Sequence, residues 1–349
     1  MEAFNLNDIC IDKTCHFLYN ISMKTFPQNR NYRRNVMFMD RLDALSNRPY
    51  DILLLGEILL DETTNHHGGH FMTFGGSPAN ITVNLKQLGI RASLCAALGN
   101  DDVGNFLLKT LVEHDVSTTL IHRFVGPTTK VLLKQTTETP TPDFHRSSDH
   151  HIHFNETLYS QLLQTKVLHL SYWPLTKEPS LTTALKAIAI AKENNVLISF
   201  DPNIHAQLKT EETISDAALK ILFKQVDIIK PSLDDSARLF GFGYDKEYYM
   251  NQYELLGIPL ILMTLGKDGV FVSHHKQRFS MPTKAVDVLD ATGAGDAFWS
   301  GFYGGLFKGL TLEESVLAGQ LTSSITLKHI GAIAPLPTIE KIIHEVKSR

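Results

Sequence analysis

Cysteine is scarce in this chain of 349 residues: there are three, Cys10, Cys15 and Cys95, with no Cys-x-x-Cys spacing. An odd number without that spacing excludes a disulfide framework and a zinc site, and points to a reducing cytosol. Long hydrophobic runs are missing too; none approaches the roughly 18 residues of a membrane span. Positive charge is not in excess, since the formal net charge is −4, so there is no electrostatic footprint for nucleic acid. Internal repeats and low-complexity tracts are absent. The opening Met1-Glu2-Ala3-Phe4 lacks the basic and apolar regions of a secretory signal. These absences leave a cytoplasmic protein with neither nucleic acid nor membrane as partner.

What is present is an ordinary globular composition, 43% hydrophobic and 20% charged, long enough for one large α/β domain or two smaller ones. Residues 1–50 show no sustained period, and Asn29-Arg30-Asn31-Tyr32-Arg33-Arg34 is polar and basic. This segment reads as a loosely ordered extension, with Met23, Met37 and Met39 as alternative starts and a targeting peptide as the rival reading. From Asp51 the pattern is regular. Asp51 to Gly56 is a continuous apolar run, as in a strand buried on both faces. Further strands follow at 92–98, 167–170, 196–200, 226–229 and 260–264. They alternate with helices at 78–88, 103–113, 181–193, 213–223, 297–307 and 311–329, a pattern that predicts a mainly parallel sheet covered by helices. Two polar, Thr- and His-rich segments, 63–74 and 128–154, interrupt the alternation and read as a small accessory β sheet.

The most informative string is Leu289-Asp290-Ala291-Thr292-Gly293-Ala294-Gly295-Asp296-Ala297-Phe298. A strand-like segment (285–289) reaches a small-residue turn and then an apolar helix. The N–H groups of Gly293, Ala294 and Gly295 can point into one concavity at a helix start, where unpaired donors and the dipole favour an anion. Asp296 beside them would repel a phosphate if it were only a ligand, so it reads as a base that takes a proton from an attacking hydroxyl. An Asp that merely favours a first helical turn is the plainer alternative.

Upstream, Gly75-Gly76-Ser77-Pro78-Ala79-Asn80 opens the first clear helix. Paired glycines let a ligand approach the backbone, and Asn80 offers a donor and an acceptor to a hydroxyl. Asp61 follows the first strand, on the side where open α/β sheets bind ligands, and can accept two hydroxyl hydrogen bonds. Arg146 lies among the histidines of the second accessory segment and can reach a substrate from a lid. The clusters His66, His67, His70 and His145, His150, His151, His153 read as exposed polar strands rather than a metal site.

Together, Gly75 to Asn80, the later Leu98-Gly99-Asn100-Asp101-Asp102-Val103-Gly104 and the string Asp290 to Asp296 resemble the two signatures of the ribokinase-like (PfkB) carbohydrate kinases, in the right order. Fructokinase-like and 2-keto-3-deoxygluconate-kinase-like members are the nearest in pattern. The resemblance implies a three-layer sandwich, a mainly parallel sheet between helices with a small β lid, over residues 51–349. It implies transfer of the γ-phosphoryl group of ATP, with Mg2+, to a primary hydroxyl of a hexose-like or keto-sugar. Asp296 is then the base, Gly293, Ala294 and Gly295 the anion hole, and Asp61, Gly75, Gly76 and Asn80 the sugar site. Leu262 to Gly269 resembles the nucleotide-side turn, implying Thr264, Gly266 and Gly269 beside ATP together with Gly293 and Gly295. Gly331-Ala332 resembles the adenine-flanking segment, and Gln320 falls where some members have Asn.

The chain also departs from the pattern. Where the family shows Asn-x-x-Glu, linked to magnesium, this chain has Ser232 and Asp235, and a shorter acid would act on the metal through water. His205 stands where such members often have Arg after Asp201-Pro202-Asn203. The alternatives are a nucleoside kinase, disfavoured by the lack of an aromatic cluster in the accessory strands, and a catalytically silent sugar-binding or regulatory protein. An exposed lid edge invites pairing with a second copy, so a homodimer joined through the lid is expected.

Overall fold

The computed structural model describes residues 38–64, 70–134, 142–284 and 287–348. Thirteen strands run in chain order: β1 (Tyr50–Leu55), β2 (Leu59–Thr64), β3 (His70–Gly75), β4 (Ala92–Gly99), β5 (Ile121–Phe124), β6 (Lys130–Lys134), β7 (Pro142–His145), β8 (Thr165–Ser171), β9 (Leu197–Asp201), β10 (Ile228–Ile229), β11 (Leu260–Thr264), β12 (Val270–His274) and β13 (Gln277–Met281). Nine form one sheet in the order β13-β12-β11-β10-β9-β8-β1-β4-β5, and four form a second in the order β3-β2-β6-β7. The large sheet is parallel from β5 to β11; at the other edge β12 pairs antiparallel with both β11 and β13.

The continuous apolar run at the start of the domain is buried on both faces, as its composition requires. Ile52 and Leu54 of β1 enter one core, and Leu53 and Leu55 enter the other. The first core is closed by the helices Ser77–Gln87, Asp102–Glu113, Ala294–Phe307, Leu312–Thr326 and Ile339–Lys347. The second is closed by Glu156–Leu163, Ser180–Glu193, Asp216–Phe223 and Lys246–Leu255. Several helices start where the side chains dictate: Asp101, Asn155, Ser215 and Asp245 each cap a backbone N–H, and Ser232 with Asp235 and Thr311 with Glu314 form capping boxes. The expected three-layer sandwich is what forms. No helix among the described residues is long and apolar enough to cross a membrane.

Three expectations are corrected. The lid starts earlier than residue 63: β2 begins at Leu59 and belongs to the four-stranded sheet, so Asp61 sits on the lid rather than at the end of a core strand. Beyond His145, the second lid segment leaves the sheet for a short 3₁₀ turn at Ser148–His150. The third correction concerns the extension. Residues 1–37, with Cys10, Cys15 and the basic run, lie outside the described residues, as do His66, His67 and 135–141. The last part is packed, however. Leu42 and Leu45 join the first core, and Arg41 pairs with the buried Asp227 at 2.5 Å. Arg48 caps the carbonyls of Thr165 and Asn194. Among the described residues of the extension, two apolar side chains enter the core, too few to give that stretch a readable period.

Candidate active site

Loops at the carboxyl ends of β1, β8, β9, β10 and β11, together with the inner face of the lid, enclose a cavity of about 540 Å³. The chain leaves β1 on one side for β4 and returns on its other side as β8, so the cavity lies where connections diverge, as open α/β sheets favour. Lid residues reach it by register. Asp61 pairs with Val131, and Val131 with Phe144, so one row across β2, β6 and β7 faces inward.

The floor is the start of the helix Ala294–Phe307. Gly293 precedes it in the left-handed conformation, φ 73°, with no side chain capping the helix. A β-carbon on Gly293 would collide with Ala332, so glycine is demanded both by backbone angle and by the close passage of the Gly331–Ala332 segment. That segment is pinned when Gly331 N–H donates to Asp290 at 2.8 Å. Ala294 N–H makes a long bond to the Ala291 carbonyl, 3.3 Å. The N–H groups of Gly293 and Gly295 find no acceptor among the described residues. Two free donors at a helix N-terminus make an anion hole.

Asp296 projects into the same cavity. One carboxylate oxygen accepts the Ser77 hydroxyl at 2.7 Å and the other accepts the Asn80 amide at 2.8 Å. Burial pushes its pKa up to about 6, opposed by those two hydrogen bonds. It is ionised at neutral pH yet close enough to neutrality to take a proton, as a general base requires. Asn80 uses its amide nitrogen on Asp296, while its buried carbonyl oxygen has no partner among the described residues. An unmet buried acceptor at this place is suited to a ligand hydroxyl.

Two more carboxyl groups share the space. Asp61 has no hydrogen-bond partner among the described residues; burial, then the charge of Asp296, raise it to about 7. Glu57 is fully buried and raised to about 8, again mainly by burial. It accepts the Ser77 N–H at 3.0 Å and the Ser171 hydroxyl at 2.7 Å. Ser77 therefore ties Glu57 to Asp296.

The residues singled out from sequence divide. Asp61, Gly76, Asn80, Asp235, Thr264, Gly293, Ala294, Gly295 and Asp296 line one cavity. Gly75 does not line it; its missing side chain leaves room for the Asp61 carboxylate. Gly266 and Gly269 shape the turn between β11 and β12, with φ 57° and 91°, and any side chain on Gly269 would strike the Met281 carbonyl. Arg146 does not line this cavity: it donates to Asp149 at 2.6 Å and Thr176 at 2.7 Å, and its guanidinium lies 5.2 Å from the centre of the Trp173 ring. A guanidinium placed among buried acceptors is taken by the nearest carboxylate, here one with no solvent exposure. Gln320 donates to the carbonyls of Met281 and Pro282, and its own carbonyl oxygen is buried without a partner.

Asp235 is the acid of a capping box. It accepts from Ser232 N–H and hydroxyl, and from Ile204 N–H at 2.9 Å. Among the described residues no group of three His, Cys, Asp or Glu is placed to hold a metal. A lone, already hydrogen-bonded acid fits Mg2+ that arrives with a nucleotide's phosphates and keeps its waters, and it fits no protein-built cage.

Sequence reasoning assigned no role in the site to several lining residues. Ser77 lay inside the quoted Gly75–Asn80 motif but carried no sign of its partner. Trp173, Phe144 and His205 form an aromatic wall, with ring separations of 5.3 Å and 5.5 Å. The accessory strands contribute only Phe144 to this wall; Trp173 and His205 come from outside them. Lys230, 4% exposed, and Asp201 also face this space.

A family model described as pfkB family carbohydrate kinase matches residues 49–339. The chain is 40% identical to a protein of Thermoanaerobacterium thermosaccharolyticum named ATP-dependent 6-phosphofructokinase, over 87% of this chain and 96% of that one. Among solved structures, it resembles Halothermothrix orenii fructokinase with a TM-score of 0.68 and 33% identity, covering 81% of this chain and 99% of the other. It also resembles Vibrio cholerae fructokinase, solved with fructose, ADP and calcium ion bound, with a TM-score of 0.75 and 25% identity over 84% and 98% of the two chains. With the signature strings placed on one cavity in a three-layer α/β fold, the chain belongs to the PfkB family of carbohydrate kinases, phosphotransferases that use an alcohol group as acceptor.

Proposed function

We propose that this protein transfers the γ-phosphoryl group of ATP to a primary hydroxyl of an uncharged ketohexose, fructose being the first candidate. The observation that carries this reading is Asp296, held by Ser77 and Asn80 at the mouth of an anion hole and facing Asp61 in one cavity. Asp296 takes the hydroxyl proton while Gly293 and Gly295 N–H groups stabilise charge on the transferring group. Asp61 and the free carbonyl of Asn80 grasp sugar hydroxyls, and the Trp173–Phe144 wall covers the sugar's C–H face. Asp235 would hold Mg2+ that arrives with the nucleotide, and the metal would supply neutralisation of phosphate charge.

Electrostatics favour the uncharged acceptor. Asp61, Asp201, Asp235 and Asp296 line the cavity beside Glu57, which burial keeps mostly neutral at neutral pH, and Lys230 is the single Lys or Arg among the described lining residues. A sugar phosphate would bring a dianion into that field. The rival acceptor is a ketohexose 6-phosphate, favoured by the name of the 40% identical relative. ADP release with ATP and each acceptor, measured side by side, decides between them. Faster turnover at lower concentration with fructose supports the proposal; a kcat/KM at least tenfold higher with fructose 6-phosphate overturns it. A riboside as the preferred acceptor would overturn both. We further propose a homodimer joined through the lid, whose edge strand β3 exposes Phe71 and Met72 by 50% and 61%; light scattering across concentrations tests it.

A further inference from the structure

The backbone donors at Gly293 and Gly295 carry no formal charge, whereas a phosphoryl group in transit spreads negative charge over three equatorial oxygens. The cavity contains one buried ammonium. Lys230 follows β10 directly and is 4% exposed. Its Nζ lies 3.2 Å from Asp201 and 5.5 Å from the centre of the Trp299 ring. It also lies 3.4 Å from the point where a β-carbon on Gly295 would stand. Trp299 is itself fixed, its indole N–H donating to Asp201 at 2.8 Å. Asp201 thus takes one ammonium hydrogen, the indole face closes a second side, and the remaining side opens toward the anion hole beside Gly295. An ammonium serving only to neutralise Asp201 would have no need to line the cavity.

We infer that Lys230 is a catalytic residue whose ammonium holds the γ-phosphoryl oxygens during transfer, an assignment that rests on the kinase reading above. In the step, the sugar oxygen forms a bond to the γ-phosphorus while its proton passes to Asp296. The bond from the γ-phosphorus to the bridging oxygen breaks, and that electron pair leaves with ADP. Asp201 and Trp299 aim the Lys230 ammonium.

The test uses Lys230→Met, Asp201→Asn and the double variant, with ATP and fructose. Removing one such stabilising group should lower kcat about 10²–10³-fold and leave the KM for fructose within threefold. Thermal shifts with a nonhydrolysable ATP analogue and with ADP read the γ-phosphate contact without any acceptor. Lys230→Met should lose the preference for the analogue and keep its response to ADP. The double variant removes both buried charges, so it reports even if Lys230→Met alone folds poorly. It should remain at least tenfold slower than Asp201→Asn. Activity equal to that of Asp201→Asn, or an unchanged analogue preference, overturns the assignment. If the wild type phosphorylates no sugar, the kinase reading fails, and the binding arm still decides whether Lys230 meets the γ-phosphate.

Discussion

The Ser77 hydroxyl donates to Asp296 at 2.7 Å across 219 residues of sequence, while the Ser77 N–H donates to Glu57. One small side chain thus links the proposed base to a buried acid and helps set how readily the base ionises. Removing the hydroxyl takes away a bond that stabilises the charged form. In Ser77→Ala, the acid limb of the kcat profile should move above its wild-type position near pH 6, with activity at high pH largely kept. A limb that stays in place would mean that Ser77 does not tune Asp296.

Asp296 works as a base only when deprotonated. With its pKa raised to about 6, wild-type turnover should be full above pH 7 and fall about tenfold per unit below 6. Asp296→Asn should lower kcat about 10²–10⁴-fold, the usual worth of a general base, while ATP still binds. Steady-state kinetics and calorimetry read the two effects, and wild-type turnover in the variant would remove the assignment.

Asp61 lines the cavity without a hydrogen-bond partner among the described residues. Asp61→Ala should weaken sugar binding roughly ten- to a hundredfold, since a hydrogen bond to a charged group is worth about 1.5–3 kcal/mol. The KM for ATP should change little. Equal losses for both substrates would place Asp61 in a structural rather than a sugar-binding role.

Glu57 carries a stability signature. Its pKa rises from 4.5 in the unfolded chain to about 8 in the fold because of burial. Its favourable contribution is therefore complete below pH 4.5 and is lost as pH climbs through 8. Glu57→Gln is neutral at every pH and can still accept from Ser77 N–H. The Tm of Glu57→Gln relative to wild type should rise between pH 5 and pH 9. A pH-independent difference would show that Glu57 does not titrate as described.

The extension divides at about residue 40. A chain beginning at Asp40 should match the full protein in Tm and activity, because it keeps Arg41, Leu42, Leu45 and Arg48. One beginning at Tyr50 should melt lower by many degrees. Each buried Leu is worth about 1.5–3 kcal/mol, and Asp227, 5% exposed at its side chain, would lose its Arg41 partner. Equal melting temperatures for the two would show that the packed turn contributes nothing.

The sequence alone determined the class of sheet, the signatures and the residue proposed as base. Runs such as Ile52–Leu55 are buried on both faces and must be continuously apolar, and the turn at Gly293–Gly295 is written in residues whose backbone freedom is local. Such features follow from neighbours along the chain, where hydrophobic period and turn chemistry operate. Tertiary structure alone decided which polar groups meet. Arg146 met Asp149, Asp61 fell on the lid, and Lys230 came to rest beside Gly295. The lid also brought Phe144 to Trp173. A charged or aromatic side chain has no period that names its partner, and its partner is fixed only when strands distant in sequence fall into register and exclude water from the space between them.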